Sequence, residues 1–477
     1  MNFYDKNIID LHNDLVNEIV TSKELIDYSK NKINEINNKY NAYNLVLSPD
    51  EENNMTSVLS GIPYAMKDNI STKGIRTTAC SNTLKDYVPI YDATIYEKLK
   101  KAGAIMIGKT NMDELAMGGT GLTGNAGIVK NPFDEERITA GSSAGSAVAV
   151  ATKTVPFAIG TDTGDSIRKP AAYTGVVGYK PSYGLISRYG LFAFASSLDT
   201  IGVITNSTLD AATVVNEIKG FDEKDMTSIS DMDEINLTDD FEKLKSKKLF
   251  YIKEIIDESK YTNPNTLKII KDFKNLLDTL KSRGYEIYEE SIDETLLKAL
   301  KPVYTSISCA EATSNDSNLT GISFGHRENG ENALDVIKNF RTKNFSSLIK
   351  RRFVIGSFIL QKENQEKYFI NAKKVRRIVV NMFNELFNKY DGLILPAQSD
   401  IAPKICDTTD EMGKDENVLD NHLVIGNFGG YPSITLPYNK LNGMPVGINI
   451  TSGYKNDSYM LAIANDIEKV IKEEIHD

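Results

Sequence analysis

The chain has 477 residues, of which 41% are hydrophobic, and carries a formal net charge of −10. This charge argues against a chain that binds nucleic acid on its own by neutralising phosphates. Its three cysteines lie far apart and form no CxxC pair, so the sequence predicts neither a disulfide framework nor a zinc site, and a reducing cytoplasm is expected. No signal-peptide pattern and no apolar run of roughly 18 residues is present, so no membrane contact is expected.

The N-terminal part of the chain predicts helices followed by a short strand. Residues 1–60 have a helical pattern, in which Thr21 and Glu24 are spaced as a capping box. Residues 61–70, GIPYAMKDNI, predict a strand that ends in a loop and places Lys67 in an otherwise apolar setting.

The remainder of the chain predicts strands that alternate with helices. Asp92 is placed to cap a helix that stops at Gly103. Further strands are predicted at 104–107, 155–160, 175–179, 249–252, 393–395, 433–436 and 446–450. Further helices are predicted from Ser207, at 264–283, through most of 295–390 and at 457–474, with a glycine-rich loop at 118–127 and a polar linker at 220–245. This alternation predicts an α/β fold, as one domain over residues 1–477 with a mostly helical insertion or cover at about 220–390.

Three segments match site motifs by their letters but lack the required context. Gly103–Thr110 fits the phosphate-binding loop GxxxxGK[ST], yet its variable positions are the apolar residues of a predicted strand. Residues 119–124 fit the dinucleotide motif GxGxxG but follow a helix-like segment instead of a strand. Residues 141–145 fit the nucleophile elbow GxSxG, without a preceding strand or a convincing later histidine. We therefore expect none of these three sites.

Residues 138–204 are dense in Gly, Ser and Thr, and contain no His and no Cys. A nucleophile within this stretch must then be Ser or Thr, and its base must be a residue other than His. A lysine can serve as the base if burial lowers its pKa from ~10.4 to ~7, which costs about 4–5 kcal/mol. Lys67 is the best-placed candidate, and the alternative is an ordinary solvated lysine.

Four motifs in order resemble the amidase signature family over nearly the whole chain: GIPYAMKDNI, AGSSAGSAVAVA, GTDTGDSIRKPAA and GVVGYKPSYG. The resemblance implies an amidase-signature fold, with a large mixed central β-sheet covered by helices on both faces. It also implies a Lys–Ser–Ser triad that cleaves amides, with Lys67 as base, Ser142 on a cis peptide as the bridging hydroxyl and Ser166 as nucleophile. The oxyanion is expected to be held by the main-chain N–H groups of Thr163, Gly164, Asp165 and Ser166.

Three further motifs, YDATIYEKLKKAGAIMIGKTNMDELAMGG, KRRFVIGSF and NAKKVRR, resemble the tRNA-dependent amidotransferases of that family. The resemblance implies a glutaminase subunit of a heterotrimer, which hydrolyses glutamine and passes ammonia to a partner subunit. That partner is expected to amidate Glu-tRNA(Gln), or Asp-tRNA(Asn), with ATP and Mg, and to carry most of the tRNA contact. No cofactor or metal is expected on this chain. A free-standing amidase of small amides and a catalytically silent scaffold subunit are the alternatives.

Recognition of free glutamine requires one partner for its carboxylate and another for its ammonium group. The resemblance implies Arg352 for the carboxylate, with Arg351 as the alternative, and Asp420 for the ammonium group. Tyr304 is a weaker candidate for the pocket lining. Ser143 is expected to contact the substrate or to support the bridging serine through a hydrogen bond, with an ordinary loop serine as the alternative.

Four positions near the predicted triad depart from the family pattern, and one of them is Ala144, which replaces a glycine. Asp165 replaces a glycine, and Lys169 replaces a glutamine four residues later. We expect Asp165 to have a positive φ at some cost, and the two side chains to pair at i and i+4, which contributes roughly a few tenths of a kcal/mol. Ala140 also replaces a glycine, which is tolerable where φ is negative.

Overall fold

The computed structural model describes residues 2–50, 55–230, 233–244, 246–409 and 417–476. The strands in chain order are β1 (Tyr43–Val46), β2 (Pro63–Lys67), β3 (Ile105–Thr110), β4 (Lys130–Asn131), β5 (Asp134–Ile138), β6 (Phe157–Asp162), β7 (Val177–Lys180), β8 (Thr200–Thr205), β9 (Lys248–Ile252), β10 (Glu286–Glu290), β11 (Gly392–Pro396), β12 (Ser433–Leu441) and β13 (Met444–Thr451). The helices are α1 (Ile8–Val16), α2 (Ser22–Tyr40), α3 (Thr94–Lys101), α4 (Ala144–Ala151), α5 (Arg168–Thr174), α6 (Thr208–Ile218), α7 (Leu237–Glu242), α8 (Pro264–Ser282), α9 (Glu294–Asn315), α10 (Ala333–Asn344), α11 (Ser347–Leu360), α12 (Lys362–Gln365), α13 (Asn371–Phe387), α14 (Val418–Asn421), α15 (Val424–Phe428) and α16 (Asp457–His476).

One mixed sheet of 11 strands runs through the molecule in the order β1-β3-β2-β6-β8-β7-β12-β13-β11-β9-β10, while β4 pairs with β5 apart from it. β3, β2 and β6 are parallel to one another, as are β11, β9 and β10. Between these two parallel groups, every neighbouring pair in the run β6-β8-β7-β12-β13-β11 is antiparallel. The predicted α/β fold with a large mixed central sheet is confirmed.

Two apolar cores lie on opposite faces of this sheet. Along β2, Tyr64 and Met66 belong to one core, whereas Ala65 between them belongs to the other. Successive side chains of a strand point to opposite faces, so this alternation assigns one core to each face. The first core includes Phe273 of α8 and the second includes Val148 of α4, so helices cover both faces as predicted.

The helix starts test the capping predictions directly. The capping box at Thr21 forms at the start of α2, and Ser207 caps α6 as the sequence indicates. The predicted Asp92 cap is wrong, because the capping position of α3 is Ala93, which makes no side-chain cap. Asp92 lies one residue too early, and its carboxylate instead accepts a hydrogen bond from the Lys73 N–H.

Three strands of the sheet were not predicted: β1, β8 and β10. β1 lies within residues 1–60, which the sequence predicts to be helical, and residues 51–54 of that segment lie outside the described residues. β1 and β10 are edge strands with partly exposed polar residues, so their apolar pattern is weak. β8 is a short, fully buried run, and periodicity alone does not assign such runs to a strand.

The segment at about 220–390 contains both strands and helices. It supplies β9 and β10 to one edge of the sheet, and its helix α9 packs against α11 and α13. α7 lies within the predicted linker, of which residues 231–232 and 245 are outside the described part of the chain. The assignment of one domain with these boundaries stays a prediction. In the described ranges, no helix is both long and apolar enough to cross a membrane.

Candidate active site

The predicted base and nucleophile lie at one edge of the sheet. Lys67 is the last residue of β2, and Thr161 is near the end of β6. These two strands are adjacent and parallel, so their carboxyl ends meet at the same edge, where sites of α/β sheets commonly form. Ser142 precedes α4 and Ser166 precedes α5, which brings both serines towards that edge.

Lys67 is fully buried, which excludes a solvated surface lysine. Its Nζ lies 2.7 Å from Ser142 Oγ, 2.9 Å from Ser143 Oγ and 2.7 Å from Thr161 Oγ1. Burial lowers the pKa of Lys67 to about 7, although the nearby carboxylates, Asp113 first, oppose that effect. At neutral pH a substantial fraction of this amine is therefore uncharged and able to accept a proton.

The two serines beside Lys67 have different hydrogen-bond partners. Ser143 Oγ donates to the main-chain oxygen of Thr161 at 3.1 Å, so its proton is already used. The predicted bond from Ser143 to Ser142 is not formed, because the Ser143 hydroxyl binds Lys67 and Thr161 instead. Within the described residues, the Ser142 hydroxyl has Lys67 as its sole hydrogen-bond partner, and the Gly141–Ser142 peptide is cis. Ser142 is thus the hydroxyl that can give its proton to a neutral Lys67.

Ser166 lies against this pair but does not bond to it through its side chain. Its main-chain oxygen accepts a hydrogen bond from the Ser143 N–H at 3.1 Å, and the residue is only 5% exposed. No hydrogen bond joins Ser142 Oγ to Ser166 Oγ among the described contacts. Such catalytic hydrogen bonds often close only when substrate is bound. The relay from Ser166 to Ser142 stays a prediction.

A buried ion pair that the sequence analysis missed holds the Ser166 loop. Arg168 is fully buried and binds Asp162 through Nη2 at 2.9 Å and Nε at 3.1 Å. The same guanidinium donates to the Gly164 main-chain oxygen and to Asn427 Oδ1. Asp162 also accepts from the Ile167 N–H at 3.0 Å. The loop between β6 and α5 is therefore fixed on both sides of the nucleophile.

Main-chain N–H groups without an acceptor lie at Ser166 and at the residues just before it in the chain. The N–H groups of Gly164, Asp165 and Ser166 donate to no acceptor in the described part of the protein, which fits the predicted oxyanion site. The fourth predicted donor is the main-chain N–H of Thr163, and the hydroxyl of this residue donates to Asp199 at 2.7 Å. Asp165 is not among the residues with positive φ, so the expected backbone cost at this position is absent.

Asp113 is a second residue that the sequence analysis missed. Its carboxylate accepts hydrogen bonds from the N–H groups of Gly121 and Thr123 in the glycine-rich loop. Its main-chain N–H donates to the Ser142 oxygen at 3.3 Å, and a Cβ at Gly141 would lie 1.8 Å from its Oδ2. Asp113 therefore packs directly beneath the cis peptide. The available signal was an acidic residue just before a glycine-rich loop.

A cavity of about 50 Å³ opens beside the nucleophile loop. It is lined by Gly164, Asp165, Lys301, Tyr304, Asp420, Asn421, Leu423 and Val424. Three residues that the sequence analysis assigned separately to the oxyanion site and the substrate pocket, Asp165, Tyr304 and Asp420, thus share one cavity. Ser143 is fully buried and is not part of this lining.

The arginine predicted for the substrate carboxylate lies just beyond this lining. The Arg352 guanidinium lies 5.5 Å from the centroid of the Phe194 ring. Burial raises the pKa of Tyr304, and the positive charge of Arg352 partly opposes that effect. The Nε of Arg352 is buried without a hydrogen-bond partner, and this side chain forms no ion pair in the described ranges. Arg351, in contrast, already has a partner. Arg352 thus has an unused donor at Nε near the cavity, and its assignment to the substrate carboxylate stays a prediction.

Lys169 does not pair with Asp165 as the sequence predicts. Helix α5 begins at Arg168, and the Lys169 N–H donates to the Asp165 main-chain oxygen at 2.8 Å, so the two residues are spaced as one helical turn, but the Lys169 side chain contacts Asp420 instead. Lys169 instead forms an ion pair of 2.8 Å with Asp420, and its effect on Asp165 is only through space. Burial raises the pKa of Asp165 to about 6.

No metal site accompanies these groups in the part of the chain that the structure describes, where no three His, Cys, Asp or Glu side chains are arranged to hold an ion. The fold and the buried lysine–serine pair define an amide-cleaving α/β protein. The model of the Amidase family matches residues 24–461, and the chain belongs to that family.

Within this family, the chain is similar over most of its length to several proteins of one name. The chain is 37% identical over 473 residues to the A subunit of glutamyl-tRNA(Gln) amidotransferase from Sulfurisphaera tokodaii, covering 97% of this chain and 98% of the relative. It is 38% identical over 434 residues to the protein of the same name from Mycoplasma pneumoniae, covering 89% of each. The crystal structure of the corresponding A subunit from Thermotoga maritima superposes with a TM-score of 0.82 at 34% identity, covering 98% of this chain and 95% of that one.

Proposed function

We propose that this chain is the glutamine-hydrolysing subunit of a tRNA-dependent amidotransferase in the cytoplasm. The observation that carries the proposal is the buried amine of Lys67, which faces the Ser142 hydroxyl beside the loop of Ser166. The full-length similarity to the A subunit of glutamyl-tRNA(Gln) amidotransferase supports this assignment over other members of the family.

The reaction begins with proton transfer through two hydroxyls. Neutral Lys67 accepts the proton of Ser142 while Ser142 accepts that of Ser166, whose oxygen attacks the amide carbon of glutamine. The C–N bond then breaks, ammonia leaves with the proton returned through Ser142, and a glutamyl ester remains on Ser166. Water activated by the same base hydrolyses this ester to glutamate and frees the Ser166 hydroxyl.

The negative charge of the tetrahedral intermediate falls beside main-chain donors. The N–H groups of Gly164, Asp165 and Ser166 have no acceptor within the described protein and are available to the oxyanion. One such donor typically contributes roughly 3–4 kcal/mol in the transition state. Because these donors belong to the backbone, the replacement of the usual glycine by Asp165 does not remove them.

The free amino acid is recognised by charged groups around the cavity. Arg352 is suited to bind its carboxylate bidentately, because its guanidinium has unused donor capacity. Tyr304 lines the cavity between this arginine and the nucleophile loop. An α-ammonium group requires a carboxylate, and the two carboxylates that line the cavity are those of Asp165 and Asp420.

The ammonia is used by a partner subunit. We place this chain in a heterotrimer, in which a partner amidates Glu-tRNA(Gln), or Asp-tRNA(Asn), with ATP and Mg and carries most of the tRNA contact. The net charge of −10 on this chain supports tRNA contact through the partner. No cofactor is assigned to this chain.

The test compares two nitrogen sources in the complete complex. Ser166→Ala should abolish glutamine-dependent amidation of the tRNA-bound amino acid and preserve amidation with ammonium chloride, because only the glutaminase step needs this hydroxyl. Ser282→Ala, an exposed serine on α8, is the matched control and should retain both. A chain that hydrolyses simple amides alone, with no effect on tRNA amidation, would instead be a free-standing amidase.

A further inference from the structure

The carboxylate expected to receive the substrate ammonium group is already bonded within the protein. Asp420 Oδ1 accepts from Lys169 Nζ at 2.8 Å and from the Ser399 N–H at 3.2 Å, and Oδ2 accepts from the Ser399 hydroxyl. The side chain of Lys169 is only 10% exposed, so this ion pair is poorly screened by solvent. A carboxylate neutralised by a buried ammonium group attracts a second one only weakly.

Asp165 is the contrasting carboxylate of the same cavity. It lines the cavity next to Tyr304 and Asp420. Its side chain forms no hydrogen bond and no ion pair with any described residue, whereas three donors bind Asp420. A desolvated carboxylate without a partner is unfavourable, and a bound ammonium group relieves that cost.

The chain position of Asp165 also suits this contact. It immediately precedes Ser166, and its N–H is one of the main-chain donors that have no acceptor within the described protein. The α-ammonium group of glutamine is only a few bonds from the amide carbon that Ser166 attacks. A carboxylate that projects from the nucleophile loop into the cavity is therefore within reach of it.

We propose that Asp165, and not Asp420, binds the α-ammonium group of the substrate, and that Lys169 is a positioning residue that neutralises Asp420. The inference rests on the proposed function. The cluster of Asp165, Lys169 and Asp420 carries one net negative charge, and because Lys169 pairs with Asp420, that charge lies on Asp165.

Two variants separate the two carboxylates, each in the complete complex. The first is Asp165→Asn, which leaves Asp420 paired with Lys169, and the second is Asp420→Asn with Lys169→Gln, which leaves Asp165 as the remaining carboxylate of the cluster. The measured quantity is kcat/KM for glutamine divided by kcat/KM for glutaramic acid, the same amide without the ammonium group. Changes in the oxyanion site or the triad affect both substrates and cancel in this ratio.

The single Asp165→Asn variant should lower the ratio roughly 10- to 100-fold, mainly through KM for glutamine, because a charge-assisted contact worth about 1.5–3 kcal/mol is lost while Lys169 still neutralises Asp420. The second should keep the ratio within about threefold of wild type, because Asp165 remains ionised and unpaired. The single Lys169→Gln variant should also retain the ratio. Thermal melting of each variant verifies that the fold is preserved.

A lower ratio in the Asp420 variant, together with an unchanged ratio in the Asp165 variant, would assign the ammonium group to Asp420 and overturn the inference. Equal losses or no loss in both would overturn it as well. These results leave the proposed function intact as long as the wild-type complex hydrolyses glutamine. A wild-type complex that does not hydrolyse glutamine would contradict the proposed function and the inference together.

Discussion

Lys67 and Lys180 are equally buried but face different groups. Both are fully buried, and burial lowers the pKa of each to about 7. Lys67 Nζ contacts three hydroxyl groups, whereas Lys180 Nζ donates to two main-chain carbonyls. A carbonyl has no proton to give, so Lys180 holds backbone segments together while Lys67 can act as a base. Burial produces the neutral amine, and the neighbouring groups determine what that amine does.

The largest expected difference follows from removing each amine. Lys67→Met should lower kcat for glutamine hydrolysis by about 10³-fold or more, as for other members of catalytic triads. Lys180→Met should mainly lower the melting temperature, because each buried carbonyl left without a donor costs about 1–3 kcal/mol. Steady-state kinetics and thermal melting of both variants make the comparison. Equal losses of kcat with equal melting temperatures would show that the two lysines are not functionally distinct.

The pH dependence of catalysis should follow the Lys67 amine. A base acts in its neutral form, so kcat/KM should fall about tenfold per pH unit below the pKa of about 7 and level off above it. The measurement is the pH profile of glutamine hydrolysis by the complete complex. Lys180→Met should keep the same acid limb at a temperature where it remains folded. A flat profile between about pH 5 and 7 would exclude Lys67 as the base.

A smaller change tests the hydroxyls around Lys67. Thr161 Oγ1 accepts from Lys67 at 2.7 Å and stabilises its charged form. Thr161→Val should therefore lower the pKa of Lys67 and move the acid limb of the pH profile down by roughly half a pH unit to one.

Thr72→Val is the matched control for this change. The Thr72 hydroxyl accepts from Lys109, another buried lysine, whose pKa burial lowers to about 8. This variant should leave the acid limb of the pH profile unchanged, because Lys109 takes no part in the proposed proton transfer. A shift in both variants, or in neither, would contradict the role given to the Lys67 surroundings.

The smallest expected effect concerns the backbone beside the cis peptide. Ala140 has a φ of +56°. From the sequence, an alanine here is expected to be tolerable only where φ is negative, so that condition is not met. Ala140→Gly should raise the free energy of unfolding by about 0.5–1 kcal/mol, because glycine adopts this conformation without steric cost. Ala147→Gly, at a buried position inside α4, should lower it by a similar amount. Chemical denaturation measures both, and stabilisation by both variants would contradict the argument.

The sequence predicted best where the information is local. The strands β2, β6 and β13 contain buried apolar runs, and the motif letters of GxxxxGK[ST] were correctly rejected because residues 105–110 form β3. The apolar flanks of Lys67 made it the candidate base, but local context alone left a solvated lysine as the alternative. These properties depend on a few neighbouring residues, which the linear pattern contains.

The side-chain partners could not be predicted in the same way. Lys169 pairs with Asp420, which is 251 positions away in the chain, and this long-range contact replaces the local pair with Asp165. The site roles of Thr161 and Asp113 likewise arise only when separate segments meet at one sheet edge. Such contacts are set by topology, so a single sequence read locally cannot supply them.

Peptide mass spectrometry after rapid acid quenching tests the activation of Ser166 by Lys67 most directly. The complete complex is mixed with glutamine for a single turnover, quenched and digested. We expect the peptide that contains Ser166 to gain the mass of a glutamyl group in the wild type, and to remain unmodified with Lys67→Met. Release of ammonia with the adduct on another residue, or the same adduct at the same rate in the Lys67 variant, would contradict the mechanism.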